Sequence, residues 1–185
     1  MALPDTINFL PGTALVWADT TDYASTLTGL ARTAQLDLTS LAAGLAMQGA
    51  KVDLGSAFAR QHLPYVGIEF DVAPTSGDLV EFWWAGSPIT TPGSANPGGT
   101  TGVAGTYAGT ASDSLADSKL SLQYLGTLIA TADAATVVQY VTLPFFVPKL
   151  RFGMPVVVNS ADQAFEGDAV EMLFALIPYT DQVVD

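Results

Sequence analysis

The chain contains no cysteine and few basic residues, and both absences limit what it can do. Without cysteine it has no disulfide, no thiolate nucleophile and no Cys-ligated metal. Six Lys and Arg stand against 18 Asp and Glu, which gives a formal net charge of −12. A negative charge of this size repels the phosphates of nucleic acids and of anionic lipids alike. We therefore expect no direct binding to nucleic acid or to membranes, and partners that are neutral or locally basic.

Charged residues of either sign are also scarce. They make up 13% of the chain, whereas hydrophobic residues make up 49%. Because charged residues are usually about a quarter of a globular protein, much of this surface must be neutral and polar. Such a surface favours a protein that works inside a regular assembly, although a secreted β-domain could share it.

No long hydrophobic run is present. The N-terminal segment has no basic residue before Arg32 and no apolar stretch of the kind found in a signal peptide. The apolar stretch 137–150 is interrupted by Gln139, Pro144 and Pro148, and it is shorter than the roughly 20 residues of a membrane helix. We expect no signal peptide and no transmembrane segment, and therefore synthesis and folding in the cytosol.

Residues 1–26 are predicted to form an extended N-terminal arm. Pro4 and Pro11 stand among several Asp and Thr residues, and the only apolar patch is 14–18. Such a segment has too few periodic apolar positions to fold alone, so it should pack on its own domain or on a neighbouring subunit. Residues 27–185 are predicted to form a single domain.

The pattern of that domain is all-β. Val66, Ile68, Phe70 and Val72 alternate with polar residues, as in a half-buried strand. A turn with Pro74 and Gly77 follows, and a strand at 79–86 completes a predicted β-hairpin. For residues 40–47 the sequence leaves both a strand and a short helix open. Ala, Leu and Met favour a helix, but Gly44 weakens it. Further strands are predicted at 32–40, 120–129, 137–147, 151–158 and 170–177.

Seven or eight short strands separated by turns are typical of an antiparallel β-sandwich, and a jelly roll is the preferred topology. Because proline cannot donate to a β-ladder, the strands with Pro144 and Pro155 should be edge strands or bulged. Residues 87–118 are rich in Gly, Pro, Ser and Thr and are predicted to form a long surface loop. A loop of this length is a possible contact region or a solvated excursion.

No catalytic pattern is evident. The single histidine, His62, has no second His, no Cys and no fixed carboxylate spacing around it, so neither a metal site nor a cofactor is expected. No Gly-x-Ser-x-Gly motif accompanies any serine. Glu69 and Glu81 could face each other across the predicted hairpin like the carboxylates of a glycosidase, but alternation makes both solvent-facing. We interpret the chain as a non-enzymatic protein.

Aromatic residues are the candidates for contact. Trp83 and Trp84 are adjacent, so in a strand they point to opposite faces and at most one can enter the core. The same holds for Phe145 and Phe146. Together with Trp17 in the arm, these four residues are the predicted interface residues.

Several segments resemble minor structural proteins of tailed bacteriophages. The resemblance is carried by residues 113–128 (Asp-Ser-Leu-Ala-Asp-Ser-Lys-Leu-Ser-Leu-Gln-Tyr-Leu-Gly-Thr-Leu), 145–165, 48–55 and 73–83. It covers most of the chain from about residue 48 onward, excludes the arm and carries over no functional residue. It implies a virion protein, such as a decoration (cement) protein on the capsid surface.

The leading functional hypothesis is therefore a capsid decoration protein, made in the host cytoplasm, that binds the lattice of the major capsid protein and stabilises the head. A homotrimer or dimer is expected, because symmetry multiplies modest contacts. The alternative is a carbohydrate-binding module of a tail or fibre, which would recognise glycan through an exposed tryptophan. A jelly-roll glycan-active enzyme using Glu69 or Glu81 is the third hypothesis.

Overall fold

The computed structural model describes residues 6–56, 58, 60–135 and 137–184, with 6–9 and 180–184 described by their backbone alone. Short strands dominate it, as the predicted alternation requires. The elements are β1 Thr6–Pro11, β2 Leu15–Ala18, α1 Ser25–Thr28, β3 Ala34–Gln35, β4 Ala46–Gln48, β5 Val52–Asp53, β6 His62–Ile68, β7 Leu79–Ser87, β8 Gly105–Thr106, α2 Leu115–Lys119, β9 Gln123–Ile129, β10 Gln139–Thr142, β11 Phe152–Asn159 and β12 Leu173–Val184.

Two sheets pack face to face, and eight strands form their main body. The first sheet has the order β10-β6-β12-β2 and the second has the order β4-β11-β7-β9. Numbered from one to eight along the chain, these strands read 6-3-8-1 and 2-7-4-5, which is the strand order of a jelly roll. The short strands β3 and β8 extend the far edges. Among the strands of the described residues, only the β2–β3 pair is parallel. The predicted antiparallel sandwich with jelly-roll topology is confirmed.

The core between the sheets is built around two tryptophans, one from each sheet. Trp17 on β2 and Trp84 on β7 are 0% and 1% exposed, and their rings meet edge to face with centroids 5.7 Å apart. The Trp17 indole also donates a hydrogen bond from Nε1 to the backbone oxygen of Ala50 at 2.8 Å. Burying one large apolar side chain stabilises a fold by about 1.5–3 kcal/mol, so this pair is a major part of the core.

The predicted hairpin between 65–72 and 79–86 is wrong. β6 pairs with β10 and β12 in the first sheet, whereas β7 pairs with β11 and β9 in the second. The segment 69–78 therefore crosses from one sheet to the other. Val66, Ile68 and Phe70 do face the core as predicted, but Val72 lies in the crossing segment and is 53% exposed.

The predicted arm at 1–26 is only partly outside the sandwich. β1 pairs with the last six residues of β12 and forms a two-stranded ribbon with them. β2, in contrast, lies between β12 and β3 inside the first sheet, and Val16, Trp17 and Ala18 are fully buried. The patch 14–18 is thus a core strand, because its apolar residues find a sheet to complete. Residues 1–5 lie outside the described residues.

Pro155 lies on a central strand, contrary to expectation. β11 pairs with β7 along its whole length and with β4 and β5 on its other side. The ladder is interrupted opposite Pro155, where β4 ends at Gln48 and β5 begins at Val52. The absent N–H of proline therefore leaves no strand partner unsatisfied at this position.

The remaining predicted strands differ from the observed ones mainly in length. The ranges predicted at 120–129 and 137–147 contain β9 and β10. Those at 151–158 and 170–177 overlap β11 and β12, which end later, at Asn159 and Val184, whereas the strand at 32–40 is reduced to β3. Residues 40–47 form no helix. In the loop 87–118, buried Tyr107 packs with Met154 and Val156 on the outer face of the second sheet, so part of the loop covers that face. Among the described residues, no helix has the length and apolarity needed to cross a membrane.

Candidate functional site

One side of the sandwich combines exposed apolar side chains with almost no charge. β9 and β10 are the outermost strands on this side, one in each sheet. The segment 120–150, which contains both strands, has only Asp133 and Lys149 as charged residues, so its net charge is zero in a protein of −12. We call this surface the neutral edge. Of the fifteen exposed large hydrophobic residues that the structure describes, eight lie on it: Leu120, Tyr124, Ile129, Val137, Tyr140, Phe145, Val147 and Leu150.

An aromatic pair forms the outer face of the neutral edge on the second sheet. Trp83 on β7 and Tyr124 on β9 are cross-strand neighbours, with ring centroids 4.8 Å apart. Trp83 is half-buried and Tyr124 is 51% exposed. A bulge between Phe82 and Trp83 shifts the register there and brings the two rings together. Together they form a shallow apolar platform beside the free strand β9.

A charged pair borders this platform. Ser114 caps α2 by accepting a hydrogen bond from the Asp117 backbone, and the helix ends with Lys119. The Lys119 Nζ lies 5.5 Å from the centroid of the Trp83 ring and donates a hydrogen bond to Glu81 Oε2 at 2.6 Å. Burial alone would raise the pKa of Glu81, but the hydrogen bonds from Lys119 and Trp83 lower it below its ordinary value. The Glu81 carboxylate is therefore ionised and paired with Lys119 through Oε2.

A second aromatic pair lies on the first sheet. Tyr65 and Tyr140 stack with centroids 5.6 Å apart and planes within 6° of parallel. Gly67 makes room for this stack, because a Cβ there would lie 2.5 Å from the Tyr140 ring. Burial and the negative charge of Glu171 raise the pKa of Tyr140 to about 12. Its hydroxyl is thus neutral and remains available as a hydrogen-bond donor or acceptor.

Two further aromatic residues follow β10. Phe146 is 7% exposed and packs against His62 and Trp84, whereas Phe145 is 52% exposed and meets the Tyr179 ring edge to face at 5.2 Å. The two adjacent side chains therefore point to opposite sides, as alternation predicts. The side chains of Trp83 and Trp84 likewise point to opposite sides of their strand. In each pair, one residue stabilises the core and the other is free for contact.

The predicted interface residues must be corrected accordingly. Trp83 and Phe145 are accessible and remain candidates. Trp17, Trp84 and Phe146 are buried within the sandwich, so they cannot contact a partner in this fold. The physical reason is that each lies on the inward face of a strand or strand extension that completes the core.

His62 and the two carboxylates do not converge. Glu69 follows β6 in the first sheet and Glu81 lies on β7 in the second, so the facing arrangement of the predicted hairpin is not formed. Glu69 is also not solvent-facing, because it is only 7% exposed. His62 is buried, with Nδ1 2.8 Å from the Arg60 backbone oxygen, and burial lowers its pKa.

Replacing Glu69 by Gln should stabilise the protein at neutral pH. Burial raises the pKa of Glu69, and the charges of Asp168, Glu166 and Glu171 raise it further. A raised carboxyl pKa means that the folded state favours the protonated form, so stability is lost as the pH rises through the folded pKa. The uncharged variant avoids this loss. We expect a higher Tm than that of the wild type at pH 7, measured by thermal unfolding.

The pH dependence separates this effect from simple packing. Well below the ordinary pKa of 4.5, Glu69 is protonated in both states and the gain should disappear. Asp71→Asn, a nearby exposed carboxyl, serves as the control and should change Tm little. A variant equally stabilised at all pH values would contradict this explanation.

Sequence reasoning missed most of the neutral edge. Tyr124, Ile129 and Tyr140 lie on predicted strands, but the prediction does not identify them as exposed contact residues. The available signal was that the strands predicted at 120–129 and 137–147 carry apolar residues on both faces and that neither contains a charged residue. A half-exposed strand normally has polar residues on its outer face.

Comparison with known proteins adds no assignment: no protein-family model matches the chain, and the comparison with curated protein sequences gives no match.

Proposed function

We propose that this protein is a structural component of a bacteriophage virion, a decoration protein that binds and stabilises the assembled head through the neutral edge. The observation that carries the proposal is the concentration of exposed apolar and aromatic groups on an uncharged side of an acidic jelly roll. Large exposed apolar patches mark interaction surfaces, and aromatic residues commonly dominate their binding energy. The partner is the lattice of the major capsid protein.

The fold is compatible with this role. Jelly rolls recur in viral capsid proteins, lectins and cupins, so the topology alone does not select among them. The segment resemblance to minor phage structural proteins favours the virion. On a lattice, each copy needs only modest affinity, because a dimer or trimer of the decoration protein engages several sites at once. The protein would be made in the host cytoplasm and would act on the capsid surface.

The test is co-sedimentation of the purified protein with undecorated heads. We expect saturable binding, and we expect Tyr124→Ala with Phe145→Ala to weaken it by at least tenfold, since contact residues of this kind contribute about 2 kcal/mol each. The control replaces two exposed apolar residues outside the neutral edge, Leu27→Ala with Val72→Ala. This variant should bind as the wild type does. Absence of the protein from the pellet, or equal effects of the two variants, would contradict the proposal.

A second candidate is a carbohydrate-binding module of a tail or fibre. It is favoured by the Trp83–Tyr124 platform beside Lys119 and Glu81, because sugars stack on aromatic rings and hydrogen-bond to flanking polar groups. A glycan array tests it directly. Binding to a glycan that Trp83→Ala abolishes would support this function over capsid decoration, whereas a silent array would remove it.

A further inference from the structure

Strand β9 forms one edge of the second sheet and is paired on one side only. It is seven residues long and pairs with β7, whereas its other side has no strand partner among the described residues. The strands at the other ends of the two sheets, β3, β8 and β10, have only two to four residues. A long strand with one unpaired side is able to pair with a strand of another molecule.

Alternate backbone groups of β9 point away from β7. The Ala130 N–H donates a hydrogen bond to the Asp78 oxygen at 2.7 Å. Because alternate residues of an antiparallel strand bond to the same neighbour, Leu128 faces β7 as Ala130 does. Ile129 and Thr127 therefore direct their N–H and C=O groups outward. These outward groups have no hydrogen-bond partner among the described residues.

The chain itself closes the edge on both sides of this stretch. The next outward residue is Thr131, whose N–H donates to Gln139 Oε1 at 2.9 Å and whose oxygen accepts from Gln139 Nε2 at 2.9 Å. The Gln139 amide thus takes the place of a neighbouring strand at Thr131. At the other end, the bulge leaves Leu125 without a register partner on β7. The open stretch therefore runs from Leu125 to Ile129 and is centred on Thr127.

A groove keeps the open stretch accessible. It lies between β9 and β10, has a volume of about 410 Å³, and is lined by Thr127 and Ile129 on one side and by Tyr140 on the other. The open stretch also lacks the prolines and charged side chains by which many edge strands exclude other strands. Another strand can therefore reach its backbone.

The charge distribution favours a second copy of this chain as the partner. Each copy has a net charge of −12, so two copies repel each other wherever their carboxylates approach. Residues 120–132 carry no charge, so two copies can touch along β9 without this repulsion. A basic partner, in contrast, would be attracted to the acidic remainder of the surface and not to this strand.

Antiparallel pairing of β9 with itself satisfies both copies. A two-fold axis at Thr127 places the two Thr127 backbones opposite each other, and it places Ile129 of one copy opposite Leu125 of the other. Each outward N–H then meets an outward C=O. The pairing uses the whole open stretch and ends before Thr131, which Gln139 already occupies. Because such a contact involves the same surface on both copies, it closes as a dimer.

We propose that this protein forms a two-fold dimer in which the open stretch 125–129 of β9 pairs antiparallel with the same stretch of a second copy. The second sheets of the two copies then form one continuous sheet. Tyr124 and Phe145 lie outside the paired stretch and remain free to contact another protein. The dimer does not depend on capsid decoration, and it is measured without heads.

Sedimentation equilibrium of the full-length protein over a concentration series tests the proposal. We expect a monomer–dimer equilibrium that tightens when salt is raised from about 0.01 to about 0.15 M, because screening shortens the range of the repulsion from about 30 to about 8 Å. Ile129→Pro should raise the dissociation constant by at least about tenfold, since it removes an outward N–H from both copies and keeps the ladder to β7. A monomer at all concentrations would overturn the proposal.

Two matched variants separate backbone pairing from other effects. Ile129→Ala keeps the N–H and removes most of the side chain, so it should change the dissociation constant by less than about threefold. Thr142→Pro makes the same backbone change on β10, where the Leu143 N–H bonds to Pro64 and Thr142 therefore faces outward. It should leave the dimer unchanged. If either control weakens the dimer as much as Ile129→Pro does, strand pairing through β9 is wrong.

Amide hydrogen exchange of the wild-type protein tests the register without any substitution. The Thr127 and Ile129 amides should exchange more slowly at high than at low protein concentration, because the dimer covers them. The Thr142 amide should exchange at the same rate at both concentrations. A dimer that leaves Thr127 and Ile129 unprotected would use another surface and would overturn the proposal.

Discussion

Trp17→Ala is expected to lower the free energy of unfolding by about 3–5 kcal/mol, the usual range for removing a buried tryptophan. The side chain is 0% exposed and packs edge to face against both Trp84 and Phe174. The substitution also removes the hydrogen bond from its Nε1 to Ala50 and leaves that backbone oxygen without this donor. Chemical denaturation followed by fluorescence or circular dichroism measures the change.

This result distinguishes a core strand from a flexible arm. If residues 14–18 lay on a loosely attached arm, the change would be no more than about 0.5 kcal/mol, as at an ordinary surface position. Leu27→Ala provides the control, since Leu27 lies in the same N-terminal region but is 60% exposed. Equal small effects of the two substitutions would contradict the structure at β2.

Gly153→Ala should also be strongly destabilising. A Cβ at Gly153 would lie 2.4 Å from Cζ2 of the buried Trp84 ring, far inside van der Waals contact. Either the indole or strand β11 must move, and such overpacking of a tight core costs about 1–3 kcal/mol, occasionally more. The expected result is a lower denaturation midpoint with an unchanged denaturant dependence.

Two further variants identify the cause. Gly86 is the cross-strand partner of Gly153, but a Cβ there would lie 3.5 Å from Leu150, so Gly86→Ala should be tolerated far better. Trp84→Phe reduces the ring that causes the clash. In a double-mutant cycle, Gly153→Ala should be much less harmful in the Trp84→Phe background. Additive effects would show that Gly153 is needed for another reason.

The sequence predicted the strands well because their signal is local. Val66, Ile68 and Phe70 alternate with polar neighbours, and this alternation needs no knowledge of the partner strand. The opposite faces of Trp83 and Trp84, and of Phe145 and Phe146, follow from the same rule. The jelly-roll class could be predicted for the same reason, since many short strands and turns leave few architectures.

What was missed depends on residues far apart in sequence. Pro74 and Gly77 suit a tight turn and a crossing segment equally, so the passage from one sheet to the other could not be recognised. Gly153 accommodates Trp84, and Gly49 accommodates Trp17, where a Cβ would lie 2.7 Å from the ring. Such complementarity is visible only once the strands are paired. Glu69 was misplaced because alternation does not continue past the end of β6.

The neutral edge also depends on the tertiary structure. Its residues come from separate strands and connecting segments that look unremarkable along the chain. The jelly-roll connections leave β9 and β10 together on one side of the sandwich. The topology therefore creates surfaces that composition alone does not reveal.

Imaging undecorated heads after incubation with the purified protein tests the central claim most directly. Electron cryo-microscopy should show the sandwich on the outer surface of the shell, with β9 and β10 facing the capsid protein and their apolar side chains covered. Heads without added density, or density in which the neutral edge faces solvent, would contradict it.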